Sequence, residues 1–257
     1  MKSLESKNAI VTGARTGICR AVVEAFAEAG CNVWAVVHRE DEEFSSSMAT
    51  LSQRCGVWIK IVRINLEDEE DVKRGMREIT SDKQPIDILV NGAGITSPNR
   101  LITMTSLRDM HRVMQVNFFA AVQMAQLVSK VMLRQRKGSI INIASVAGID
   151  GDLSQLEYGA SKAALICATK KMAYEWGDFG IRVNAIAPGI INTKMLGDME
   201  PRVVEELIRK TSLHRAGQPS EIAQLCVFLG SDRSSYISSE TIRIDGGGTS
   251  FVSTFKR

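Results

Sequence analysis

No apolar run in the sequence reaches the length of a membrane span, and its opening Met1-Lys2-Ser3-Leu4-Glu5 carries no hydrophobic leader. The expected location is therefore the cytoplasm, with no membrane partner. Cysteine is sparse and unpatterned: Cys19, Cys31, Cys55, Cys167 and Cys226 are odd in number, include no Cys-x-x-Cys pair and sit in apolar surroundings. They read as buried free thiols rather than disulfides. His38, His111 and His214 stand far apart without ligand spacing, which argues against a metal site. A net charge of +3 is too small to mark a nucleic-acid binder. The basic cluster Arg134, Arg136 and Lys137 ends a long helical pattern, where cations complement the helix C-terminus. Linkers, internal repeats and low-complexity stretches are missing too, so residues 1–257 are expected to form one domain.

What is present is an alternation. Short apolar segments near 7–12, 32–37, 57–64, 86–90, 138–144, 181–187 and 241–244 are separated by helical patterns. That order predicts an α/β fold, a doubly wound parallel seven-stranded sheet of Rossmann type covered on both faces. Ligands of such sheets bind beyond the carboxyl ends of the strands, where the strand order reverses. Gly13, Asn91, Ser145 and Pro188 each follow a predicted strand, so folding gathers them at one edge.

The first strand runs into Gly13-Ala14-Arg15-Thr16-Gly17-Ile18-Cys19 and then into a helical pattern ending at Gly30. A glycine-rich strand-to-helix turn lets backbone approach a phosphate, and the helix N-terminus offers free N–H groups and a partial positive charge. Farther on, Tyr158 and Lys162 are four apart in Glu157-Tyr158-Gly159-Ala160-Ser161-Lys162, which places them on one helix face. An ammonium beside a phenol favours the phenolate, so such a Tyr can exchange a proton near neutral pH.

Thr-Gly-x-x-x-Gly, Asn-x-Ala-Gly, Ser145, Tyr-x-x-x-Lys and Pro188-Gly189 follow one another along the chain. The ordered set, from about Lys7 to Gly247, resembles the short-chain dehydrogenase/reductase family in its shorter, single-domain branch. Within that family the chain looks most like the group that reduces 3-oxoacyl groups on acyl carrier protein, through Gly217-Gln218-Pro219-Ser220-Glu221-Ile222, Ser235-Tyr236-Ile237 and Ile244-Asp245-Gly246-Gly247. The resemblance implies the strand order 3-2-1-4-5-6-7 and a ketone–alcohol interconversion. Hydride transfer to a ketone builds negative charge on its oxygen, which calls for an acid and a second donor. Tyr158 and Ser145 would supply them, Lys162 would also hold the nicotinamide ribose, and Asn117 would hold a water in the proton relay. For the dinucleotide the resemblance implies Gly13, Arg15, Thr16, Gly17 and Ile18 in the turn, His38 and Arg39 after the second strand, and Asn65 with Leu66. Asn91, Gly92, Ala93, Pro188, Gly189, Ile191 and Thr193 complete that set, together with Tyr158 and Lys162.

Members that prefer NAD(H) carry an acid at the end of the second strand to hold the ribose 2′-OH. Here Val37 stands there, followed by His38 and Arg39, with Arg15 in the turn. A guanidinium pairs with a 2′-phosphate, so NADP(H) is the expected cofactor and NAD(H) the alternative. The chain departs from the family pattern at several places. Cys19 replaces the third glycine of the turn, Gly92 the second Asn of Asn-Asn-Ala-Gly, and Asn65 an Asp that contacts adenine, while Arg15 lies one place early for the usual basic residue.

The expected partners are a small ketone, an alcohol or an acyl thioester, together with acyl carrier protein. Arg136 matches one basic residue that holds the acidic carrier, but Tyr174 stands where the second would be. The segment from Glu200 to Lys210 is the expected substrate lid. A homotetramer is expected because apolar residues from Val113 to Val131 occupy more of the Leu107–Gln135 helix than one sheet contact would use. By resemblance, this helix and the one carrying Tyr158 form one interface, and the last strand with its tail another. Two readings of other classes compete, a sensor or scaffold that kept the fold without turnover and a sugar-nucleotide epimerase or dehydratase, beside a short-chain reductase or dehydrogenase acting on a sugar, polyol, steroid or other ketone. The first typically loses Tyr158 or Lys162, and the second needs a different glycine spacing and a C-terminal substrate region.

Overall fold

Every residue of β1 (Asn8–Thr12), β4 (Ile88–Asn91) and β5 (Gly138–Ile143) is buried. Parallel strands covered on both faces need apolar residues at consecutive positions rather than alternate ones, and Ala9-Ile10-Val11 and Ile88-Leu89-Val90 meet that need. The structure, a computed structural model, describes residues 2–96, 101–151, 155–197 and 200–248. The other strands are β2 (Asn32–Val37), β3 (Ile59–Arg63), β6 (Ile181–Pro188) and β7 (Thr241–Ile244), and the seven form one parallel sheet in the order β3-β2-β1-β4-β5-β6-β7. The order reverses between β1 and β4, as expected, with Ala9 opposite Ile88.

The two faces of the sheet sort the strand residues by parity. Ala9, Val11, Val33, Ala35 and Val90 face one core with α1 (Gly17–Glu28), α2 (Glu42–Cys55) and, in its own turn along the chain, the helix Pro219–Gly230. Ile10, Trp34, Val36 and Leu89 face the other, with α3 (Glu69–Ser81) and the long helices that follow β4 and β5. Asp41 caps α2 by accepting from the Phe44 N–H, and Asp68 caps α3 through Glu70 and Asp71 N–H.

After β4 come α4 (Leu107–Met114), a π-helical turn over Gln115–Phe119 and α5 (Ala120–Gln135). The continuous run Leu107–Gln135 is long and apolar enough to cross a membrane, contrary to the reading of the sequence. Met124, Ala125, Val128 and Met132 are nevertheless fully buried in the second core, as befits a core helix. The remaining helices are α6 (Ala147–Asp150), α7 (Leu156–Trp176), α8 (Lys194–Gly197), α9 (Pro201–Arg209) and α10 (Pro219–Gly230). α9 falls where the lid was expected, whereas the C-terminal tail beyond residue 248 lies outside the described residues. Cys19, Cys31 and Cys226 are buried free thiols, but Cys55 is half-buried and Cys167 exposed. Cys167 lies on an outer face of α7, where apolar sequence neighbours do not imply burial.

Candidate active site

The turn from β1 into α1 is held against the exit of β4. Thr12 Oγ1 accepts from Gly92 N at 3.0 Å and from Ala93 N at 3.2 Å. Gly13 sits at φ +72°, and a Cβ there would lie 2.8 Å from Ala93 Cα, so both its backbone and its neighbour require glycine. Thr16 precedes α1 without a side-chain cap, and α1 has no acidic residue in its first turn. Its leading N–H groups stay available to an anion. Across this turn, Thr193 reaches the space beside Gly17, bringing the segment after β6 opposite the glycines. Arg15, His38 and Arg39 are exposed where the turn after β1 lies beside the end of β2, Ala14 N donating to Val36 O at 3.1 Å, and Arg15 Nη1 pairs with Asp41 Oδ2.

Asn91 faces inward, whereas Asn65 is half-buried in the turn after β3. Asn91 Nδ2 donates to Ala121 O and to Asn142 Oδ1, each at 3.0 Å, and Asn142 continues the buried chain to Thr169 Oγ1 at 2.8 Å. Asn65 Oδ1 accepts from Glu67 N, its own N–H binds Asp71, and Leu66 O receives Gln115 Nε2. What Asn91, Gly92 and Ala93 present to the cleft is therefore largely backbone. Pro188 and Gly189 continue this edge: Val146 N donates to Pro188 O and Gly189 N to Ile244 O, both at 3.1 Å. Ile191, buried at the bridge to Gly217, receives Thr193 Oγ1 on its carbonyl.

Ser145 follows β5 by two residues and is almost wholly buried, with Oγ accepting from Ala147 N at 3.2 Å. Lys162 is buried on α7, and its Nζ donates to Ile143 O at 2.8 Å, tying α7 to the strand end that delivers Ser145. The same Nζ lies 5.7 Å from the centre of the Tyr158 ring, within cation–π range. Burial lowers the Lys162 pKa to about 8 because the charged form loses its hydration. Asn117 sits in the π-helical turn, an insertion frequent at functional sites. Its Oδ1 accepts from Ile95 N at 2.8 Å, and Nδ2 donates to Ile95 O and Ser161 Oγ. A Cβ on Gly94 would touch both Asn117 Oδ1 and Lys162 Nζ at 3.4 Å, so those groups border one small space. Four segments far apart in sequence thus meet beyond the carboxyl ends of β1, β4, β5 and β6.

The family model described as enoyl-(acyl carrier protein) reductase matches residues 13–249. The chain belongs to the short-chain dehydrogenase/reductase family. It is an oxidoreductase acting on CH–OH groups, and members of this family use a nicotinamide cofactor. It is 36% identical over 244 residues to the 3-oxoacyl-[acyl-carrier-protein] reductase FabG of Thermotoga maritima, covering 95% of this chain and 98% of that protein. The reductase of the same name from Staphylococcus aureus is 37% identical over 242 residues, covering 94% and 98%. That from Aquifex aeolicus is 36% identical over 244 residues, covering 95% and 98%. Among short-chain dehydrogenases/reductases the chain is most like this group.

Several residues that shape the site were missed in the sequence. Thr12 fastens two edges of the cleft, Ser161 holds Asn117, and Asp41 holds Arg15. Thr12 had a signal, since a hydroxyl ahead of the first glycine can bond across the sheet. Asp41 had none, because its pairing depends on how β2 delivers α2.

Proposed function

We propose that this chain is a cytoplasmic, NADPH-dependent reductase of 3-oxoacyl thioesters. The observation that carries the reading is the gathering of Ser145, Tyr158 and Lys162 at one end of the sheet, with Lys162 Nζ anchored to Ile143 O and 5.7 Å from the Tyr158 ring. The cradle fits a dinucleotide. The uncapped N-terminus of α1 and the close approach at Gly13 suit a pyrophosphate, and Arg15, His38 and Arg39 suit a 2′-phosphate.

When bound, the nicotinamide supplies the hydride. The Tyr158 hydroxyl gives its proton to the substrate oxygen as charge builds there, and Ser145 Oγ–H donates a second hydrogen bond to that oxygen. The Lys162 ammonium favours the tyrosinate left behind, lowering the free-energy cost of the transfer. It would also hold the ribose of the bound cofactor. Asn117 fixes the Ile95 backbone beside Lys162 and borders the space through which a proton is replaced. Tyr158 and Lys162 both being present favours turnover over a silent scaffold.

The test is NADPH oxidation against acetoacetyl-CoA, acetoacetyl-carrier protein, crotonyl-CoA, cyclic ketones and keto-sugars. The expected result is reduction of both 3-oxo thioesters and none of the enoyl thioester. Tyr158→Phe should lose at least about a hundredfold in kcat while still binding NADPH, since general acid catalysis contributes about 10²–10⁴. Reduction of a sugar ketone alone would overturn the substrate assignment, and an active Tyr158→Phe the mechanism.

A further inference from the structure

Two departures from the family pattern, Cys19 and Gly92, meet in space. A Cβ on Gly92 would lie 2.0 Å from Cys19 Sγ, 3.2 Å from Ile143 Cγ1 and 3.5 Å from Thr12 O. Cys19 is the third residue of α1 and is almost fully buried, in one cluster with Ala14, Ile143, Ile186, Ile191 and Cys226. The thiol therefore fills the volume that any side chain at position 92 would take. Gly92 is also one of the residues whose N–H is fastened to Thr12 Oγ1.

We infer that Cys19 and Gly92 form a reciprocal pair in which the thiol, seated over Gly92, sets the spacing between the first turn of α1 and the exit of β4. Cys19 then shapes the dinucleotide cleft by excluding any side chain at position 92, and not by a contact of its own with the cofactor. The two backbones it separates carry Thr16 and Gly17 on one side and Ala93 on the other. Cysteine behaves here as a small apolar wedge. Its thiol is pushed up to about 12 by burial, opposed by the nearby charge of Lys162, so it stays protonated and unreactive at neutral pH. A short side chain with a single torsion has few ways to withdraw, because one staggered rotamer is disfavoured on a helix and the surroundings are close-packed. An added methyl at position 92 must instead push α1 away from β4.

This inference rests on the nicotinamide-dinucleotide reading of the cleft. The test is a cycle of Gly92→Ala, Cys19→Ala and the double variant, each read by NADPH titration, kcat at saturating NADPH and melting temperature. Gly92→Ala is expected to weaken NADPH binding about tenfold or more, in the range of overpacking penalties. Cys19→Ala alone should change it by less than about threefold, and the double variant should return to within about threefold of native, a coupling typical of contacting residues. KM for NADPH should carry the effect while kcat at saturation holds. If Gly92→Ala does not fold, a folded, NADPH-binding double variant still supports the pair. Native-like NADPH binding by Gly92→Ala overturns it, as does a double variant no better than Gly92→Ala. Should native protein bind neither NADPH nor NADH, the reading of the cleft fails. The four melting temperatures then test the steric pair separately, and additive changes there overturn it.

Discussion

Arg15 in the glycine-rich turn is held by Asp41, the residue that caps α2, with Nη1 2.5 Å from Oδ2. Both side chains are nearly half exposed, and an ion pair of that kind is worth at most about 1 kcal/mol. Arg15 is thus poised near the proposed 2′-phosphate site and weakly restrained. Asp41 also sets a carboxylate close to where that phosphate would lie, so it opposes the preference that Arg15 and Arg39 create. Asp41→Asn is expected to raise kcat/KM for NADPH about two- to fivefold with little change for NADH, the size of an exposed charge contact. Asn still caps α2, so stability should hold. Arg39→Ala should shift the ratio the other way. Equal kcat/KM for the two cofactors in native protein would refute the assignment of His38 and Arg39.

Lys162 gives a pH signature. Its folded pKa, about 8, lies below the ordinary 10.5, so between those values the unfolded chain binds more protons and stability rises with pH. Below about 8 the burial cost is fully present. On the order of 3 kcal/mol is relieved as pH climbs to 10.5. Urea unfolding at pH 7 and pH 10 should therefore show native protein gaining stability relative to Lys162→Met, which cannot titrate. A constant gap would mean that the ammonium is better solvated than its burial implies. The same variant should be inactive.

Most strands were legible because they are compact apolar runs bounded by glycine or charge, while β3 and β7 carry Lys60, Arg63 and Arg243 within them. Asn32–Val37 and Thr241–Ile244 match the expected limits. The π-helical turn at Gln115–Phe119 was not, since one extra residue in a turn leaves the apolar stripe of a long helix almost unchanged. Tyr158 and Lys162 were legible from their spacing only in company with the other motifs that follow one another along the chain, and the anchor of Lys162 on Ile143 O joins residues that only β5 and α7 bring together. Likewise, Cys19 and Gly92 read as two separate departures. Their contact arises where the order of the sheet reverses between β1 and β4.

Phe119 is 52% exposed at the end of the π-helical turn ahead of α5, and Leu107 is 70% exposed at the start of α4. Large apolar groups left open on neighbouring helices are what a subunit interface would cover. The native chain is expected to be a homotetramer, and Phe119→Glu should give a smaller species by placing a charge in the interface. Light scattering at micromolar concentration decides this, and a native monomer would refute it.

Arg136 is not simply a free cation on the surface. It ends α5 in the left-handed region at φ 52°, its Nη2 donates to Asp178 O at 3.1 Å, and its guanidinium lies 5.5 Å from the centre of the Phe179 ring. Lys137 is similarly engaged, with Nζ 3.5 Å from Asp232 Oδ1. Tyr174, where a second carrier-docking cation would be expected, is exposed and uncharged. An acidic carrier would thus meet one partly committed guanidinium, enough for weak steering but not for tight capture. Arg136→Glu should lower kcat/KM for acetoacetyl-carrier protein about three- to tenfold at low salt, an effect that fades as ionic strength shortens the Debye length. Turnover of acetoacetyl-CoA should be unchanged, because its chemistry lies elsewhere on the molecule. Tyr174→Lys should strengthen carrier dependence at low salt. Identical salt profiles for the two substrates, in native protein and both variants, would show that the carrier does not dock on this surface.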